Sequence, residues 1–343
     1  MGENFNMAQV STSDAQSSKH TKDYRNTVAT IIRRQGALIA LILVLVISSL
    51  SFNGFLTPYN ILDNVIVSNV PIGLIALGMT FVIITGGIDL SVGSTIALSS
   101  VVVALASPHG MWIAIAAAIL TGLAVGLFNG FVITRMHVPP FVATLATLLG
   151  VRGLALYFSN EHNVTVTNSD LLNFGNGDLF GIPTPVIVLI VAFAIGIIVL
   201  NYSRFARHLL AIGGNEEAAR LLGIRVNATL LGAYMLSGAL AGIAGMFIAI
   251  QTFTGSGNLA NGYELSAIAA TVVGGTLISG GEGSVFGTLV GVLLLGFILN
   301  ILNFLSGAGI TLSPFWQDVV RGAFLLVVIL LQNRLANKKA ERI

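Results

Sequence analysis

Long apolar runs divide this chain into segments of about the length that a helix needs to cross a lipid bilayer. Hydrophobic residues make up 55% of the 343 residues and charged residues only 9%, whereas a soluble domain carries about 25% charged residues. The sequence therefore predicts an all-α polytopic membrane protein with about ten transmembrane helices, since each span needs about 20 mostly apolar residues. The predicted spans are 37–56, 64–85, 92–107, 111–133, 141–158, 184–201, 229–251, 264–280, 285–304 and 314–332.

The basic residues predict the orientation of these spans, because cytoplasmic segments of membrane proteins are enriched in Lys and Arg. All of the 16 Lys and Arg residues except Arg152 and Arg321 lie in four segments that ten spans place on one side. These segments are the N-terminal tail, the connection that contains Arg135, the loop 202–228 and the C-terminal tail. The opposite loops contain no Lys or Arg, and the longest of them, 159–183, is acidic. We therefore predict that both termini are cytoplasmic.

Polar tails flank the membrane-spanning part of the chain. The first 36 residues are rich in Ser, Thr and Lys, and they lack the apolar core and small-residue cleavage site of a signal peptide. We therefore predict a cytoplasmic N-terminal tail at 1–36, a transmembrane domain at 37–333 and a cytoplasmic C-terminal tail at 334–343.

A short polar helix is predicted inside the cytoplasmic loop 202–228. Asn215 can cap this helix by accepting hydrogen bonds from free backbone N–H groups, and Glu216 and Glu217 lie where the helix dipole favours negative charge. Gly223 supplies a left-handed residue that ends the helix. A helix of this kind outside the bilayer is interpreted either as a docking surface for a partner or as an ordinary surface loop.

A glycine-rich stretch with a single acidic residue follows the second span. Gly86, Gly87 and Gly93 permit an unwound or re-entrant turn, so the spans on either side could also form one re-entrant unit. Asp89 is interpreted as a cap of the following helix or as a contact to substrate or partner. The similar stretch 273–284 indicates either an internal repeat, as is common in transporters, or a chance similarity of glycine-rich sequence.

No pattern for nucleotide hydrolysis or metal binding is present. The sequence has no GxxxxGK[ST] phosphate loop, its lysines are confined to the tails, its five histidines are scattered, and it contains no cysteine. We therefore predict no catalytic residue, no cofactor and no metal site. Active transport would draw its energy from an ion gradient or from a bound ATPase. The same absences count against a membrane-embedded enzyme, and a structural scaffold is the remaining alternative.

Three acidic residues lie near predicted span ends: Asp89, Glu264 and Asp318. Asp318 and Arg321 can pair on one helix face, and Arg152 can pair with Glu264 or Asp318. A gradient-driven carrier usually keeps ionisable residues deep in the membrane. The sequence therefore favours ion pairs that hold helices together over a proton relay.

Three long motifs together resemble the permease subunit of bacterial ABC importers for monosaccharides, the group that carries ribose, galactose, xylose and autoinducer-2. They are GMTFVIITGGIDLSVGS at 78–94, GGNEEAARLLGI at 213–224, and ELSAIAATVVGGT at 264–276, which continues through GGEGS at 280–284. The resemblance covers roughly residues 37–335. One departure is Ser266, where many relatives carry an acid, so that Glu264 is the sole acid of this segment.

The resemblance implies a transport subunit that is not itself an enzyme and that lies in the bacterial inner membrane. Two permease chains, identical or closely related, would line the path, and a periplasmic or lipid-anchored sugar-binding protein would dock outside. Within this group we expect ribose as the transported sugar, and no nucleic-acid partner. The alternative function is that of a gradient-driven secondary sugar carrier. A cytoplasmic ABC ATPase would dock on the short helix, at Asn215, Glu216, Glu217, Ala218, Ala219, Arg220 and Gly223.

A path for a sugar is expected to be polar and uncharged, with amide and hydroxyl side chains and an aromatic residue or two. Polar groups in spans also bond neighbouring helices, which is the alternative role for each candidate. The candidates are Asn64, Asn69, Thr80, Asn129, Phe141, Thr144, Thr147 and Asn300.

Overall fold

The computed structural model describes residues 36–307 and, beyond them, residues 315–316, 318–320, 322–323, 326–327 and 330. This part of the chain is a bundle of helices with four two-residue strands. The helices are α1 (Gly36–Ser51), a π-helix (Asn60–Val67) that continues into α2 (Ser68–Ile84), α3 (Val92–Ala106), a 3-10 turn (Ser107–His109), α4 (Met111–Arg135), α5 (Pro140–Ser159), α6 (Ser169–Asn176), α7 (Thr184–Tyr202), α8 (Arg204–Gly214), α9 (Glu216–Leu221), α10 (Val226–Gln251), α11 (Tyr263–Val273) and α12 (Val285–Gly307). The strands are β1 (Val164–Thr165), β2 (Asp178–Leu179), β3 (Ile182–Pro183) and β4 (Thr254–Gly255).

Seven helical segments in the described part of the chain are long and apolar enough to cross a membrane. The prediction of an all-helical polytopic membrane protein is therefore confirmed, while the count of about ten spans stays a prediction. Each of the seven corresponds to a predicted span with ends that differ by a few residues. They are Asn60–Ile84, Val92–His109, Met111–Arg135, Pro140–Ser159, Thr184–Tyr202, Val226–Thr252 and Val285–Ser306.

Two predicted spans are shorter than the sequence indicated. α1 ends at Ser51, and α11 has only 11 residues where a span at 264–280 was predicted. Gly275 and Gly280 adopt positive φ angles of 97° and 83°, so these glycines turn the backbone instead of extending the helix. Eleven residues rise about 16 Å, which is about half of the hydrocarbon core. Nine of the 19 residues of the predicted span 314–332 lie outside the described residues.

The centre of the bundle consists of α2, α3 and α10. The helical segments differ in how much of their most apolar stretch of 18 residues is buried. In the segment formed by the π-helix and α2, and in α10, 78% of this stretch is buried, whereas only 28% is buried in α4, α5 and α7. Helices that are apolar on every face are suited to such a central position. The peripheral helices turn apolar side chains outward, as expected where lipid takes the place of water.

Glycines bring the backbones of α4 and α10 into direct contact. A Cβ atom added to Gly122 of α4 would collide with the carbonyl oxygen of Gly238 of α10, and one added to Gly238 would collide with that of Gly122. Gly126, one turn further along α4, packs equally closely against the backbone of Tyr234. Small residues at this spacing allow membrane helices to associate through van der Waals packing. This contact fixes α4 against the central helix.

The connections between helices gather at two ends of the bundle, which we name the α9 end and the α6 end. At the α9 end the Gly281 N–H donates to the Ile84 carbonyl at 2.9 Å, and at the α6 end β1 pairs with β4. The seven long helical segments connect these two ends. The α9 end comprises 85–87, 136–139, 203–225 and 274–284, and the α6 end comprises 52–59, 107–110, 160–183 and 252–256.

The glycine contact between α4 and α10 predicts a strong effect of added volume. We expect Gly122→Leu to lower the free energy of unfolding by at least about 2 kcal/mol, because the new side chain meets backbone that cannot move aside. Gly150→Leu is the control, since no atom lies within 4 Å of a Cβ added at Gly150. Thermal unfolding of the purified protein in detergent measures both. Equal stability of the two variants would contradict the packing described here.

Candidate functional site

Helix α9 has the local structure that the sequence predicted. The Asn215 Oδ1 accepts a hydrogen bond from the Ala218 N–H at 2.9 Å, and Gly223 adopts φ +80° after the helix. Arg220 forms an ion pair with Glu216 at 2.7 Å. Both side chains of this pair are about half exposed to solvent, so the pair itself adds little stability.

Two leucines at the end of α9 point away from the protein. Leu221 is 90% exposed and Leu222 is 80% exposed, while neighbouring Ala219 is buried against Ile212 and Val226. Sequence reasoning missed both leucines, because only the exposed side of α9 distinguishes them from core residues. Exposed apolar side chains beside an ion pair form a surface suited to a protein partner.

Hydrogen bonds attach α9 to two long helices. The Arg220 Nη2 donates to the Asn227 Oδ1 of α10 at 3.1 Å. The Asn227 Nδ2 in turn donates to the Thr134 carbonyl of α4 at 3.2 Å. These bonds and the buried contact at Ala219 hold α9 against α10, and Asn227 continues the connection to α4.

A three-way contact connects α8 to the glycine-rich turns. Gly213 of α8 packs so closely against the Ile84 carbonyl and the Gly281 N–H that a Cβ at this position would collide with both. The Gly281 N–H also donates to the Ile84 carbonyl. The stretches around Gly86 and Gly280, whose similarity the sequence indicated, therefore lie against each other and against α8.

A groove of about 340 Å³ separates α9 from the turn that contains Gly86 and Gly87. Glu216 and Arg220 line one side of it, and Tyr234 of α10 lines its floor. The Tyr234 hydroxyl has no hydrogen-bond partner in the described part of the chain and lies beside Gly87. The groove is thus a space between the projecting helix and the glycine-rich turn.

Asp89 lies in the interior of the bundle, although the sequence placed it near a span end. Its Oδ1 accepts hydrogen bonds from the Ser91 N–H at 3.0 Å and the Ser91 Oγ at 2.6 Å, and its Oδ2 accepts one from the Ser237 Oγ at 2.9 Å. Only 1% of Asp89 is exposed. Ser237 lies about 16 Å along α10 from Val226, so the turn after Gly86 re-enters the bundle. The Asn129 Nδ2 extends this cluster by donating to the Ser91 Oγ at 2.8 Å.

Gly93 has a different role from Gly86. Gly86 adopts φ +81° in the turn, whereas Gly93 lies in the first turn of α3 and packs against the Glu264 carboxylate.

The Arg152 Nη1 donates to the carbonyls of Gly257 at 2.7 Å and Leu259 at 2.6 Å.

The predicted pairing of Arg152 with Glu264 is an electrostatic interaction in the described structure, without an ion-pair contact. The predicted partner of Asp318, Arg321, lies outside the described residues.

The predicted path residues fall into separate groups instead of one continuous path. Asn64, Asn69 and Asn300 lie near the α6 end, along the contact between the π-helix, α2 and α12. Thr80 bonds Thr288 between α2 and α12 at 2.7 Å. The others lie on α4 and α5; Asn129 and Thr144 bond the turn around Asp89, Thr147 is buried, and Phe141 is 54% exposed.

An open cavity of about 710 Å³ lies at the α6 end. Among its lining residues, Asn60 and Asn300 form a reciprocal amide pair, with each Nδ2 donating to the other Oδ1 at 3.0 Å. Asn60 and Asn303 were not predicted from the sequence. The contact that identifies Asn60 joins positions 240 residues apart, and Asn303 is identified only by its position in the lining of the cavity. Among the described residues, no group of three or more His, Asp or Glu side chains is placed to hold a metal ion.

Comparison with known proteins gives consistent relatives along most of the chain. The ribose import permease protein of Bacillus subtilis is 41% identical over 309 residues, which cover 89% of this chain and 94% of the relative. The ribose import permease protein of Escherichia coli K12 is 37% identical over 314 residues, covering 90% and 96%. The L-arabinose ABC transporter permease protein of Azospirillum brasilense is 34% identical over 317 residues, covering 92% of each chain. No solved structure matches.

A family model for the permease component of branched-chain amino acid transport systems matches residues 61–329. This range includes all seven long helical segments that could cross a membrane except the first residue of one of them. The relatives named above are transport permeases, as the motifs in the sequence indicated. The chain therefore belongs to the family of ABC transport-system permease components and is a multi-pass membrane protein.

Proposed function

We propose that this chain is the translocation subunit of an ABC importer that carries a monosaccharide, with ribose as the preferred candidate, across the bacterial inner membrane. The subunit has about ten spans and both termini in the cytoplasm, and a second permease copy or a close relative completes the path. A separate cytoplasmic ATPase supplies the energy, and a periplasmic or lipid-anchored sugar-binding protein delivers the sugar. The observation that carries the proposal is α9, a projecting helix with exposed leucines that is bonded to the helices beneath it.

The mechanism is alternating access, with the motion delivered through α9. When the ATPase subunits close on ATP, they displace α9 as a rigid body. Arg220 passes this displacement to α10 through its hydrogen bond to Asn227, and Asn227 passes it from α10 to α4 through its hydrogen bond to the Thr134 carbonyl. Gly213 passes it to the end of α2 and to the turn at Gly281, because no space remains between these backbones. The turn around Asp89 lies next in this chain of contacts and acts as the hinge of the transport cycle.

Energy coupling is the direct test of this function. We expect proteoliposomes that contain the chain, its ATPase and a ribose-loaded binding protein to accumulate ribose only with ATP, and to be unaffected by a protonophore. Vesicles with the chain alone are the control and should not concentrate the sugar. Accumulation driven by an ion gradient without any ATPase would instead identify a secondary carrier.

The exposed leucines provide a test of the docking surface. We expect Leu221→Asp and Leu222→Asp to weaken retention of the ATPase by at least about tenfold, since truncating a central apolar anchor costs about 2 kcal/mol or more. Uptake should fall in parallel, while the thermal midpoint of the permease stays unchanged because both side chains are exposed.

Leu179→Asp is the matched control, because Leu179 is 54% exposed at the α6 end. Co-purification of the ATPase with each variant measures the effect. Full retention by Leu221→Asp and Leu222→Asp, or equal loss with Leu179→Asp, would remove α9 as the docking helix.

The hinge assignment is tested at Asp89. Asp89→Ala leaves three buried donors on Ser91 and Ser237 without their acceptor, at a cost of about 1–3 kcal/mol for each unsatisfied group. We expect a fall in thermal midpoint of about 4 °C or more and a loss of uptake. Asp89→Asn keeps a carbonyl oxygen for Ser91 and should lose less stability than Asp89→Ala.

Asp178→Ala serves as the control, because Asp178 is exposed at the α6 end. Differential scanning fluorimetry gives the midpoints, and vesicle uptake gives the transport rate. Normal uptake and stability of Asp89→Ala would show that the buried carboxylate does not hold the hinge.

A further inference from the structure

The cavity of about 710 Å³ at the α6 end is open to the surroundings and is lined by amide, hydroxyl and aromatic side chains. Ligand pockets in proteins commonly combine apolar and aromatic walls with a few polar groups of this kind. None of the described residues that line it is charged. The cavity therefore suits a neutral polar solute rather than an ion.

Asn60 uses all of its hydrogen-bonding groups within the protein and holds Asn64 and Asn300 in place. The Asn60 Nδ2 donates to the Phe55 carbonyl at 2.8 Å and to the Asn300 Oδ1 at 3.0 Å. Its Oδ1 accepts from the Nδ2 atoms of Asn64 and Asn300, both at 3.0 Å. An amide side chain offers two donors and two lone pairs, so Asn60 has no remaining capacity and acts as a support.

Three neighbouring amides keep unused hydrogen-bonding capacity. Asn300 uses one donor and one lone pair on Asn60, and Asn64 uses only one donor. Asn303 makes no side-chain hydrogen bond to the part of the chain that the structure describes, and it lines the same cavity. Free donors and acceptors are thus presented side by side, which is the arrangement that the adjacent hydroxyls of a polyol require.

The π-helix places the amides of Asn60 and Asn64 on the same face. In a π-helix each backbone N–H bonds the carbonyl five residues earlier, and such segments are frequent at functional sites. Asn60 and Asn64 are four residues apart in the π-helix (Asn60–Val67), and their side chains are hydrogen-bonded to each other. The unusual helix therefore turns Asn64 toward the cavity beside Asn60.

An aromatic surface borders the amides. Phe52 and Phe304 line the cavity, with ring centroids 5.5 Å apart, and Phe55 packs against Phe304 at 5.4 Å. A sugar ring has an apolar C–H face and polar edges, so aromatic rings beside free amides match both parts of it.

We infer that this cavity is a monosaccharide-binding site of the permease itself, in which Asn64, Asn300 and Asn303 bind the hydroxyls and Phe52 and Phe304 contact the ring. The inference rests on the proposed function for its substrate class and extends it to named residues. The site lies at the end opposite α9, where a sugar released by a binding protein enters the permease. Selection of the sugar is then shared between the binding protein and this site.

The absence of native cysteine allows a direct test on the purified permease. Ser51 lines the cavity, so Ser51→Cys introduces a single thiol there. We expect D-ribose to slow alkylation of this thiol by a maleimide about tenfold at ten times the dissociation constant, because occupied sites shield it. Asn201→Cys, which is exposed at the end of α7 beside the α9 end, is the control and should react at the same rate with or without ribose.

A second variant shows whether the amides bind the sugar. In the Ser51→Cys background, Asn64→Leu with Asn303→Leu should abolish protection by ribose, while an unchanged thermal midpoint shows that the fold is retained. Loss of protection in the variant supports the assignment. Protection that persists in the variant, absence of protection by ribose in the parent, or equal protection at Asn201→Cys would overturn it.

The test separates this inference from the proposed function, because it needs neither ATP nor a partner. ATP-dependent ribose uptake without protection of Ser51→Cys would refute the binding site and leave the importer intact. Protection without ATP-dependent uptake would keep the site and refute the importer.

Discussion

Irregular backbone inside a membrane bundle must find its hydrogen bonds within the protein, because lipid offers none. This requirement explains why the structure places buried Asp89 and partly buried Arg152 beside non-helical segments. Asp89 accepts the Ser91 N–H where the chain re-enters the bundle after α2. Arg152 donates to the carbonyls of Gly257 and Leu259 in the segment before α11. Each of these side chains thus forms hydrogen bonds with backbone groups that have no partner within a helix. These hydrogen bonds stabilise the two non-helical segments.

The proposed mechanism depends on where backbone packs directly against backbone. Direct backbone contact at Gly122 and Gly238 joins α4 to α10, and contact at Gly213 joins α8 to the ends of α2 and of the turn at Gly281. In the proposed mechanism a displacement of α9 is passed on through these contacts, because backbone packs directly against backbone there. The turn around Asp89 depends on side-chain hydrogen bonds instead. The proposed mechanism therefore places its hinge at this turn.

Much of the fold could be predicted from the sequence, because hydropathy and helix caps are local signals. Seven spans and the Asn215 cap agree with the structure. The sequence could not show that α11 ends at Val273. Hydropathy does not distinguish a glycine that continues a helix from one that turns the chain, as Gly275 does here. It placed Asp89 near a span end, because the level of a turn within the bundle depends on contacts with distant helices. The path residues Asn64 and Asn300 were predicted singly, and only the fold reveals Asn60 between them.

The reciprocal pair of Asn60 and Asn300 has a consequence for the surroundings in which the α6 end can operate. It joins the beginning of the π-helix before α2 to α12 through hydrogen bonds between two uncharged amides. An amide neither gains nor loses a proton under physiological conditions. The fastening accordingly keeps the same strength in acidic and alkaline media, and it is not screened by dissolved salt as an ion pair would be.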